Sequence, residues 1–400
     1  MRILLVTDWM RHDGGAERYL AELRAALAAA GDHVELLTSS AGSAADGSAE
    51  HVAFGTESRL AQSVLQIANP WAAATARRAV RAFDPDAVLV AMFANHLSPA
   101  VFGAFRGRPV VFYATDFKVI CPTFAKVLPD GSTCVDREGR ACLERGCVGL
   151  AHWLRDRPRY RGIRRAVSAA ARVLACSETV RHELARNGIA AEHLPLPVEP
   201  PGAGFRRAPA PDPLFVFIGR LATQKGVFPL VRAFAQLQAE LPAARLRLVG
   251  DGPDRVALER AIGEIGVGAA VELVGRVPYA ETERHLADAW TAVAPTIGPE
   301  PLGMVALEAI ARGVPMVATA SGGFLETIED GRTGRLVAGG NEDRLLVALR
   351  EIAHGRIFVD GRIDAAARAR LLARHDPERH VAALRANFAE LVVANDHGGA

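Results

Sequence analysis

The alternation of short apolar runs with longer helical stretches limits most strongly what this chain can fold into. Runs such as 2–7, 87–92 and 214–219 are almost continuously apolar, and stretches with helical spacing lie between such runs. A run that is apolar on both faces is typical of a parallel strand covered by helices on both sides. The repeated pattern therefore predicts an α/β fold built on doubly wound, mostly parallel sheets.

A proline-rich segment divides the pattern into two halves. The chain has 400 residues, which suggests two or three domains of about 150 residues each, and seven prolines lie within residues 195–213. The alternation resumes after them, so we expect two Rossmann-like domains that face each other across a cleft. The expected division is an N-terminal domain 1–197 with a cysteine-bearing insert at about 116–150, a linker 198–213, a C-terminal domain 214–375 and a last helix within 376–400.

Composition excludes several classes of function. Half of the residues are hydrophobic, and the formal net charge is only +2, so no global basic field indicates a nucleic-acid partner. The first apolar run is too short for a signal peptide, and no run of about 18 apolar residues occurs. These features predict a cytoplasmic protein, with peripheral contact at the inner face of a membrane as an option considered below.

The stretch 298–313 carries two glutamates around a predicted helix start. Glu300 lies where an apolar strand gives way to a helix expected at about 301–312, and Glu308 lies about two turns into that helix. The unpaired N–H groups of a helix start favour a phosphate. The two carboxylates can then hydrogen-bond sugar hydroxyls on either side. The alternative is an ordinary surface glutamate followed by a helix glutamate.

Other strand ends of the second half carry residues suited to the same ligand. Arg220 and Lys225 share the loop after strand 214–219 and can converge on one anion. Gly250 and Val277 follow the next two strands, where a flat heterocycle can lie against the backbone. Taken alone, the loops at Gly250 and Val277 indicate ordinary turns, and Arg220 and Lys225 indicate charged side chains exposed to solvent. Together they suit a ligand with a diphosphate between a base and a sugar, and cations plus a helix start can stabilise a diphosphate leaving group without a metal.

The first half offers weaker signals. The double glycine at 14–15 precedes a helix, so Gly15 allows a close approach to an anion, although a plain tight turn is the commoner explanation. Asp116 follows a strand at 109–114 and can bind or activate an acceptor hydroxyl. Its neighbour Thr115 can hydrogen-bond a sugar but cannot act as an acid or base near neutral pH. His96 follows the strand 87–92 and is either structural or part of the site.

Two further patterns suggest a metal and a membrane. Four cysteines cluster in the insert, and a structural zinc ion held by all of them is one interpretation, with free thiols as the other; they are Cys121, Cys134, Cys142 and Cys147. The segment 151–165 is dense in arginine and includes Trp153 and Tyr160. It can lie on anionic lipid, or it can be a solvated helix face.

Taken together, the motifs resemble glycosyltransferase family 4. They are Gly-Gly-x-Glu at 14–17, Gly-Arg-Leu-x-x-x-Lys-Gly at 219–226, Val-Gly-Asp-Gly-Pro at 249–253, Glu-x7-Glu at 300–308 and Ser-Gly-Gly-x-x-Glu-x-Ile-x-Asp-Gly at 321–331. The likeness runs from about residue 1 to residue 390 and is looser in the first half. It implies a retaining enzyme of the GT-B architecture that uses a nucleotide-diphosphate sugar.

The resemblance also implies roles for residues. Glu300 contacts the transferred sugar, Glu308 binds the ribose, and the last helix crosses back to the N-terminal domain. The base is framed by Gly250 and Val277, while Gly15 approaches the phosphate from the other domain. The diphosphate is held by Arg220, Lys225 and the backbone of Leu302, Gly303, Met304 and Val305.

One departure from the family pattern leaves the proton transfer open. Relatives often carry a His-Asp pair where this chain has Thr115 and Asp116, so no catalytic base is assigned, although Glu300, Asp116, Thr115 and His96 are the candidates for catalysis. We expect a UDP- or GDP-sugar donor, no cofactor required for catalysis, and a hydroxyl acceptor on a glycan, a lipid-linked or a small molecule. The alternatives are a nucleotide-sugar epimerase and a catalytically weak binding subunit of the same fold.

Overall fold

The computed structural model describes residues 1–10, 15–41 and 49–398, which form two compact units. The first unit consists of Met1–Pro129, Cys134–Pro197 and the chain from Pro377 on. The second consists of Val198–Asp376 together with Asp130–Thr133. Gly14 of the expected double-glycine loop lies outside the described residues.

Each unit is built on one parallel sheet. The strands of the first are β1 Arg2–Val6, β2 His33–Ser39, β3 His51–Ala53, β4 Ala87–Val90, β5 Val110–Ala114, β6 Arg172–Ala175 and β7 Glu192–His193. Those of the second are β8 Leu214–Ile218, β9 Arg245–Val249, β10 Val271–Gly275, β11 Thr291–Ala294, β12 Met316–Thr319 and β13 Gly334–Val337. The expected α/β class with two doubly wound parallel sheets is confirmed.

Helices surround both sheets. They are α1 Gly15–Ala29, α2 Arg59–Leu65, α3 Pro70–Phe83, α4 Arg140–Glu144, α5 Leu150–Ser168, α6 Glu178–Arg186, α7 Val227–Glu240, α8 Arg255–Ile265, α9 Tyr279–Ala287, α10 Met304–Ala311, α11 Phe324–Thr327, α12 Glu342–Ala353, α13 Ala365–Arg374 and α14 Pro377–Gly398. Side-chain caps fix several of their starts, since Asn69, Ser177 and Asn341 each accept a hydrogen bond from an N–H of the first turn.

Strand order defines a switch point in each sheet. The orders are β3-β2-β1-β4-β5-β6-β7 and β10-β9-β8-β11-β12-β13. In each sheet the chain winds outward from a central strand and then returns to the other side of it. Ligands of such sheets bind at the carboxyl ends of the strands beside this reversal, which lies between β1 and β4 in the first unit and between β8 and β11 in the second.

The last helix, α14, belongs to the first unit. Leu384 and Phe388 of α14 are fully buried. His380 Nδ1 donates to the carbonyl oxygen of Pro195 at 2.8 Å, so its Nε2 accepts from the Tyr19 hydroxyl at 2.8 Å. These contacts make α14 part of the core of this unit although it is the last element of the chain.

The proline-rich segment 198–213 lies in the second unit. The Arg207 guanidinium donates to the carbonyl oxygens of Leu286, Ala289 and Gly361. The backbone N–H groups of Ala208 and Ala210 donate to residues at the end of α9. The segment expected as a linker is therefore held along its length by the second unit.

Candidate active site

The residues expected to bind a donor meet at the switch point of the second sheet. Lys225 ends the loop after β8, and Glu300 lies in the loop after β11, the strand beside β8. The Lys225 ammonium forms an ion pair with Glu300 Oε1. Glu300 is largely buried and Lys225 is partly exposed, so the pair presents a cation and a carboxylate side by side to anything bound above these strand ends.

Backbone hydrogen bonds fix the loops that carry this pair. The N–H of Ile297 donates to the carbonyl of Gln224 at 2.8 Å, which joins the loops after β8 and β11. The N–H of Gly323 donates to the carbonyl of Glu300 at 2.8 Å. The loop after β12 therefore supports Glu300 from the other side, a role of the paired glycines 322–323 that the motif alone did not assign.

Helix α10 starts beside Glu300 but later than the sequence predicted. It begins at Met304, with Gly303 before it at a φ of +81°, so the expected start at Pro301 is wrong. A Cβ on Gly303 would lie 2.5 Å from Cε1 of the Phe324 ring. Contact with Phe324 and the left-handed turn at Gly303 therefore set the helix start, which local helix preference does not determine.

The other residues expected to bind the diphosphate through their backbone lie at this helix start. Leu302 is buried, while Met304 and Val305 are half-buried at the first turn of α10. The first N–H groups of a helix have no partner within it, so they are available to an anion. Glu308 lies at the fifth residue of α10 and is half-buried.

Arg220 is the second cation of this edge. It follows β8, its side chain is exposed, and it makes no hydrogen bond or ion pair with any residue in the described part of the chain. Its guanidinium is thus available to a ligand. Unlike Lys225, it is not held in place by a neighbouring carboxylate of the described residues.

The remaining donor-side residues lie toward the other edge of the sheet. Gly250 directly follows β9, and its N–H donates to the carbonyl of Gly275 at 2.8 Å. A Cβ at position 250 would lie 1.9 Å from the carbonyl oxygen of Gly219, so this glycine allows two loops to touch. Val277 follows β10, two strands away from β8, and is half-buried.

The switch point of the first sheet is organised by Asp8, a residue that the sequence analysis missed. Asp8 follows β1 and is fully buried. Its Oδ1 accepts the backbone N–H groups of His96 at 2.8 Å and Leu97 at 2.9 Å, and its Oδ2 accepts that of Asn95 at 2.8 Å. The carboxylate therefore holds the loop after β4. Its position directly after an apolar strand was the available signal.

His96 lies in that loop with its ring in the protein interior. The side chain is buried and packs edge-on against Trp9, with 5.4 Å between ring centroids. Trp9 Nε1 in turn donates to Glu17 Oε1, which assigns the glutamate of the Gly-Gly-x-Glu motif a structural contact. Gly15, at the start of α1, is exposed.

Thr115 and Asp116 follow β5 as predicted, but Asp116 has a partner that the sequence did not reveal. Its Oδ2 lies 3.3 Å from Lys118 Nζ, and its Oδ1 accepts the Lys118 N–H at 2.8 Å. The Lys118 ammonium also lies 4.6 Å from the centroid of the Trp9 ring. Thr115 Oγ1 is buried without a hydrogen-bond partner among the described residues, so it can take a bond from a ligand hydroxyl.

The four insert cysteines do not assemble a metal site in the structure. Within residues 1–10, 15–41 and 49–398, no group of three or more His, Cys, Asp or Glu side chains is arranged to hold a metal ion, so the expected zinc is not supported. Burial raises the pKa of the Cys142 thiol to about 11, with Cys121 and Cys147 nearby. The pKa of Cys147 is also raised, chiefly by burial.

The arginine-dense segment 151–165 lies within α5. Arg159 and Tyr160 are buried, and Arg159 donates to the carbonyl of Ala94. Trp153 is half-buried and donates to the carbonyl of Gly139 at 2.9 Å. Both aromatic residues are therefore partly or wholly structural, and half of the exposed positions of the segment are arginines. None of the described helices is long and apolar enough to cross a lipid bilayer.

Comparison with known proteins places both halves of the chain in glycosyltransferase families. The family described as "Glycosyltransferase Family 4" matches residues 13–198, and the family described as "Glycosyl transferases group 1" matches residues 205–370. Together the two matches span most of the chain.

Curated relatives match part of the chain. A GDP-mannose-dependent alpha-(1-6)-phosphatidylinositol monomannoside mannosyltransferase of Mycolicibacterium smegmatis is 36% identical over 184 residues, covering 41% of this chain and 47% of the relative. A glycogen synthase of Mycobacterium tuberculosis is 33% identical over 167 residues, covering 42% of this chain and 38% of the relative. The matched part thus spans less than half the length of these relatives.

Solved structures share the whole fold. Sucrose-phosphate synthase from Thermosynechococcus elongatus superposes with a TM-score of 0.76 at 21% identity, covering 98% of this chain and 100% of that one. Anabaena HepE in complex with UDP superposes with a TM-score of 0.70 at 19% identity, with the same coverage. At this identity the likeness establishes the GT-B fold.

Proposed function

Because this chain belongs to glycosyltransferase family 4, we propose that it transfers a sugar from a nucleotide-diphosphate donor to an acceptor hydroxyl, with retention at the anomeric carbon. The observation that carries the proposal is the Lys225–Glu300 ion pair beside the start of α10 at the switch point of the second sheet. Residues 219–226 and 300–308 supply this site, and both stretches are motifs of the family resemblance.

The donor diphosphate lies, in this proposal, between the helix start and the two cations. Lys225 has three N–H donors, so it can keep Glu300 and still donate to a phosphate oxygen. Arg220 adds a guanidinium, and the N–H groups of residues 303–305 face the same oxygens. These groups stabilise the negative charge that develops on the departing phosphate, and they do so without a metal.

The carboxylates hold the two ends of the donor. Glu300 contacts hydroxyls of the transferred sugar, and Glu308 binds the ribose. Glu300 is held by Lys225 and by the loop after β12, so it is rigid enough to orient a sugar. The relatives in the curated set that match at 36% identity are named as GDP-mannose-dependent, which makes a GDP-sugar the first donor to test and a UDP-sugar the second.

Proton transfer is assigned to no protein base. Asp116 forms an ion pair with Lys118, so its carboxylate is already engaged by a cation of its own loop. We propose that Asp116 and Thr115 position the acceptor hydroxyl and that the departing phosphate oxygen accepts its proton. The acceptor is a glycan, a lipid-linked or a small molecule.

Thermal-shift titration of the purified chain with GDP, UDP and their sugars tests donor binding, since a ligand that binds only the folded state raises its melting temperature. Lys225→Ala should weaken nucleotide binding by about 10- to 100-fold, because it removes a hydrogen bond to a charged group. Arg260→Ala is the matched control, since Arg260 is an exposed arginine on α8.

Turnover then separates the roles of the two carboxylates. Glu300→Gln should lower sugar transfer, measured as nucleotide release with acceptor, by at least about 100-fold while leaving nucleotide affinity within about threefold. Glu264→Gln, an exposed position on α8, should match the wild type. Unchanged turnover in both Glu300→Gln and Lys225→Ala would contradict the site.

A catalytically weak binding subunit is the alternative favoured by a specific observation, the replacement of a histidine by Thr115 and the pairing of Asp116. Such a protein would bind nucleotide sugars normally and turn over none of the acceptors. An epimerase would convert the donor with no acceptor present, which nuclear magnetic resonance of the sugar detects directly.

A further inference from the structure

Large apolar side chains are exposed on the edge strand β3 of the first unit and on the two helices that follow it. There are five within residues 52–71, called the β3–α3 patch below, and their exposed fractions are 51% for Val52, 49% for Phe54, 85% for Leu60, 66% for Val64 and 56% for Trp71. The rings of Phe54 and Trp71 contact each other, with 5.5 Å between centroids. Single exposed apolar residues are ordinary, whereas a group of this kind marks an interaction surface.

Helix α5 adjoins this β3–α3 patch. Arg155 Nη1 donates to Ser63 Oγ at 3.3 Å, which connects α5 to α2. Helices α3 and α5 both pack against the turn Pro99–Ala104, and Gly162 of α5 lies in close contact with Pro99. Leu150 and Leu154, in the first turns of α5, are also at least half exposed. The patch and the arginine-dense helix therefore belong to one region of the surface.

The helices that carry or adjoin the patch hold several exposed arginines and few carboxylates. Arg59 on α2, Arg77 and Arg81 on α3, and Arg157 and Arg161 on α5 are exposed, and none forms an ion pair with a residue in the described ranges. The segment 51–71 holds one acidic residue, the helix α3 none, and the segment 150–165 only one, which is buried and already paired with Arg159. The positive charge is local, because the net charge of the chain is only +2.

The positive charge of this surface indicates that its partner is negatively charged. Aromatic and aliphatic side chains among exposed arginines are typical of protein surfaces that lie in the boundary of an anionic bilayer, where the apolar groups enter the acyl region and the arginines meet lipid phosphates. Arginine stems can also lie along apolar surface while their charged ends stay at the headgroups. A protein partner would need to be both apolar and strongly acidic.

Part of the patch lies at the carboxyl ends of the strands, and the candidate acceptor residues lie at the carboxyl ends of the same sheet. Phe54 directly follows β3, as Thr115 directly follows β5, and all strands of this sheet are parallel. Their carboxyl ends therefore share one edge. A bilayer that meets the patch holds its headgroups near the edge at which Asp116 lies.

We propose that the β3–α3 patch, together with the arginines of α5, docks the chain on an anionic lipid bilayer. The docking itself is independent of the proposed function, whereas the consequence that a lipid-linked acceptor is presented at this edge rests on it. The apolar side chains provide insertion, and the arginines provide selection for anionic lipid.

Vesicle flotation of the full chain tests the docking. The chain should float with vesicles of phosphatidylcholine containing phosphatidylglycerol and not with phosphatidylcholine alone. The double variants Leu60→Ser/Val64→Ser and Arg157→Glu/Arg161→Glu should each lower the floated fraction at limiting lipid by about fivefold or more. Val256→Ser and Arg260→Glu, exposed positions on α8, are the matched controls and should float as the wild type does.

Three outcomes would overturn the docking: no flotation with either vesicle, equal losses in patch and control variants, or patch variants that change self-association in sedimentation without changing flotation. The last outcome would identify a protein interface. Thermal shifts with nucleotide sugars, measured on the same proteins without vesicles, test the proposed function separately from the docking. Flotation without donor binding would contradict the proposed function alone, and donor binding without flotation would contradict the docking alone.

Discussion

Single residues with distant partners organise both switch points. Asp8 accepts three backbone N–H groups from the loop after β4, and Lys225 meets Glu300 across 75 positions of sequence. In both cases the position of the residue at a strand end is visible in the sequence, while its partner is not. Lys118 is a third case, because its ammonium lies over the ring of Trp9 while it pairs with the nearby Asp116.

Asp8→Asn should destabilise the protein by about 1–3 kcal/mol, because a buried N–H then faces an amide donor in place of an acceptor. Asn keeps one oxygen for His96 and Leu97 but turns an NH2 toward Asn95. Urea denaturation measures the loss. Asp212→Asn, an exposed position in the second unit, is the control and should be neutral.

The insert cysteines give a pH dependence. Burial raises the pKa of Cys142 to about 11, so the reactive thiolate forms only as the pH rises toward that value. Alkylation of Cys142 by iodoacetamide at pH 8 should be about tenfold or more slower than in the denatured chain and should keep rising above pH 9. Mass spectrometry of the labelled peptide measures it, and equal rates in folded and denatured chains would refute the raised pKa.

At the scale of elements, the start of α10 determines the geometry of the proposed phosphate-binding site. Pro301 suggested an earlier helix start, but the contact between Gly303 and Phe324 places it at Met304. Phe324 is the first residue of α11, which follows β12, so the position of this helix start depends on packing between elements at neighbouring strand ends. The bare N–H groups at 303–305 are consequently held beside Glu300.

Gly303→Ala should cost about 1–3 kcal/mol, because an alanine is strained at this φ and its Cβ meets the Phe324 ring. It should also weaken nucleotide binding, since the helix start has to move. Gly263→Ala is the matched control. Gly263 lies inside α8 with open space around it, so alanine there should stabilise by about 0.5–1 kcal/mol. Chemical denaturation and thermal shift with nucleotide measure both effects.

At the scale of the whole molecule, the chain's last helix completes its first unit. Residues from Pro377 on belong to the unit that begins at Met1. His380 holds α14 to Pro195 and Tyr19, and Arg172 of β6 donates to Asn387 and Glu390. The stability of the N-terminal unit therefore depends on residues at the far end of the sequence.

Phe388→Ala should remove about 3–5 kcal/mol of stability, the usual cost of truncating a fully buried aromatic residue. Hydrogen exchange should show faster exchange in peptides of α1 and β4, which contact α14, and little change in the second unit. Val393→Ala, at a largely exposed position of α14, should leave exchange unchanged. Equal acceleration in both units would show that α14 does not stabilise the first unit selectively.

The sequence by itself determined the fold class and the edge of each sheet where the site residues lie. Apolar runs on both faces and the helices between them are local patterns, so parallel sheets follow from them. Residues at strand ends such as Arg220, Lys225 and Glu300 are then placed at one edge by topology alone.

Only the tertiary structure decided how those residues are held and which candidates fail to converge. The Lys225–Glu300 pair, the start of α10 and the role of Asp8 depend on contacts between segments far apart in sequence. The four cysteines look like one set in the sequence, but the folded insert does not arrange them around a metal ion. The β3–α3 patch is likewise invisible in the sequence, because exposure depends on what packs against each side chain.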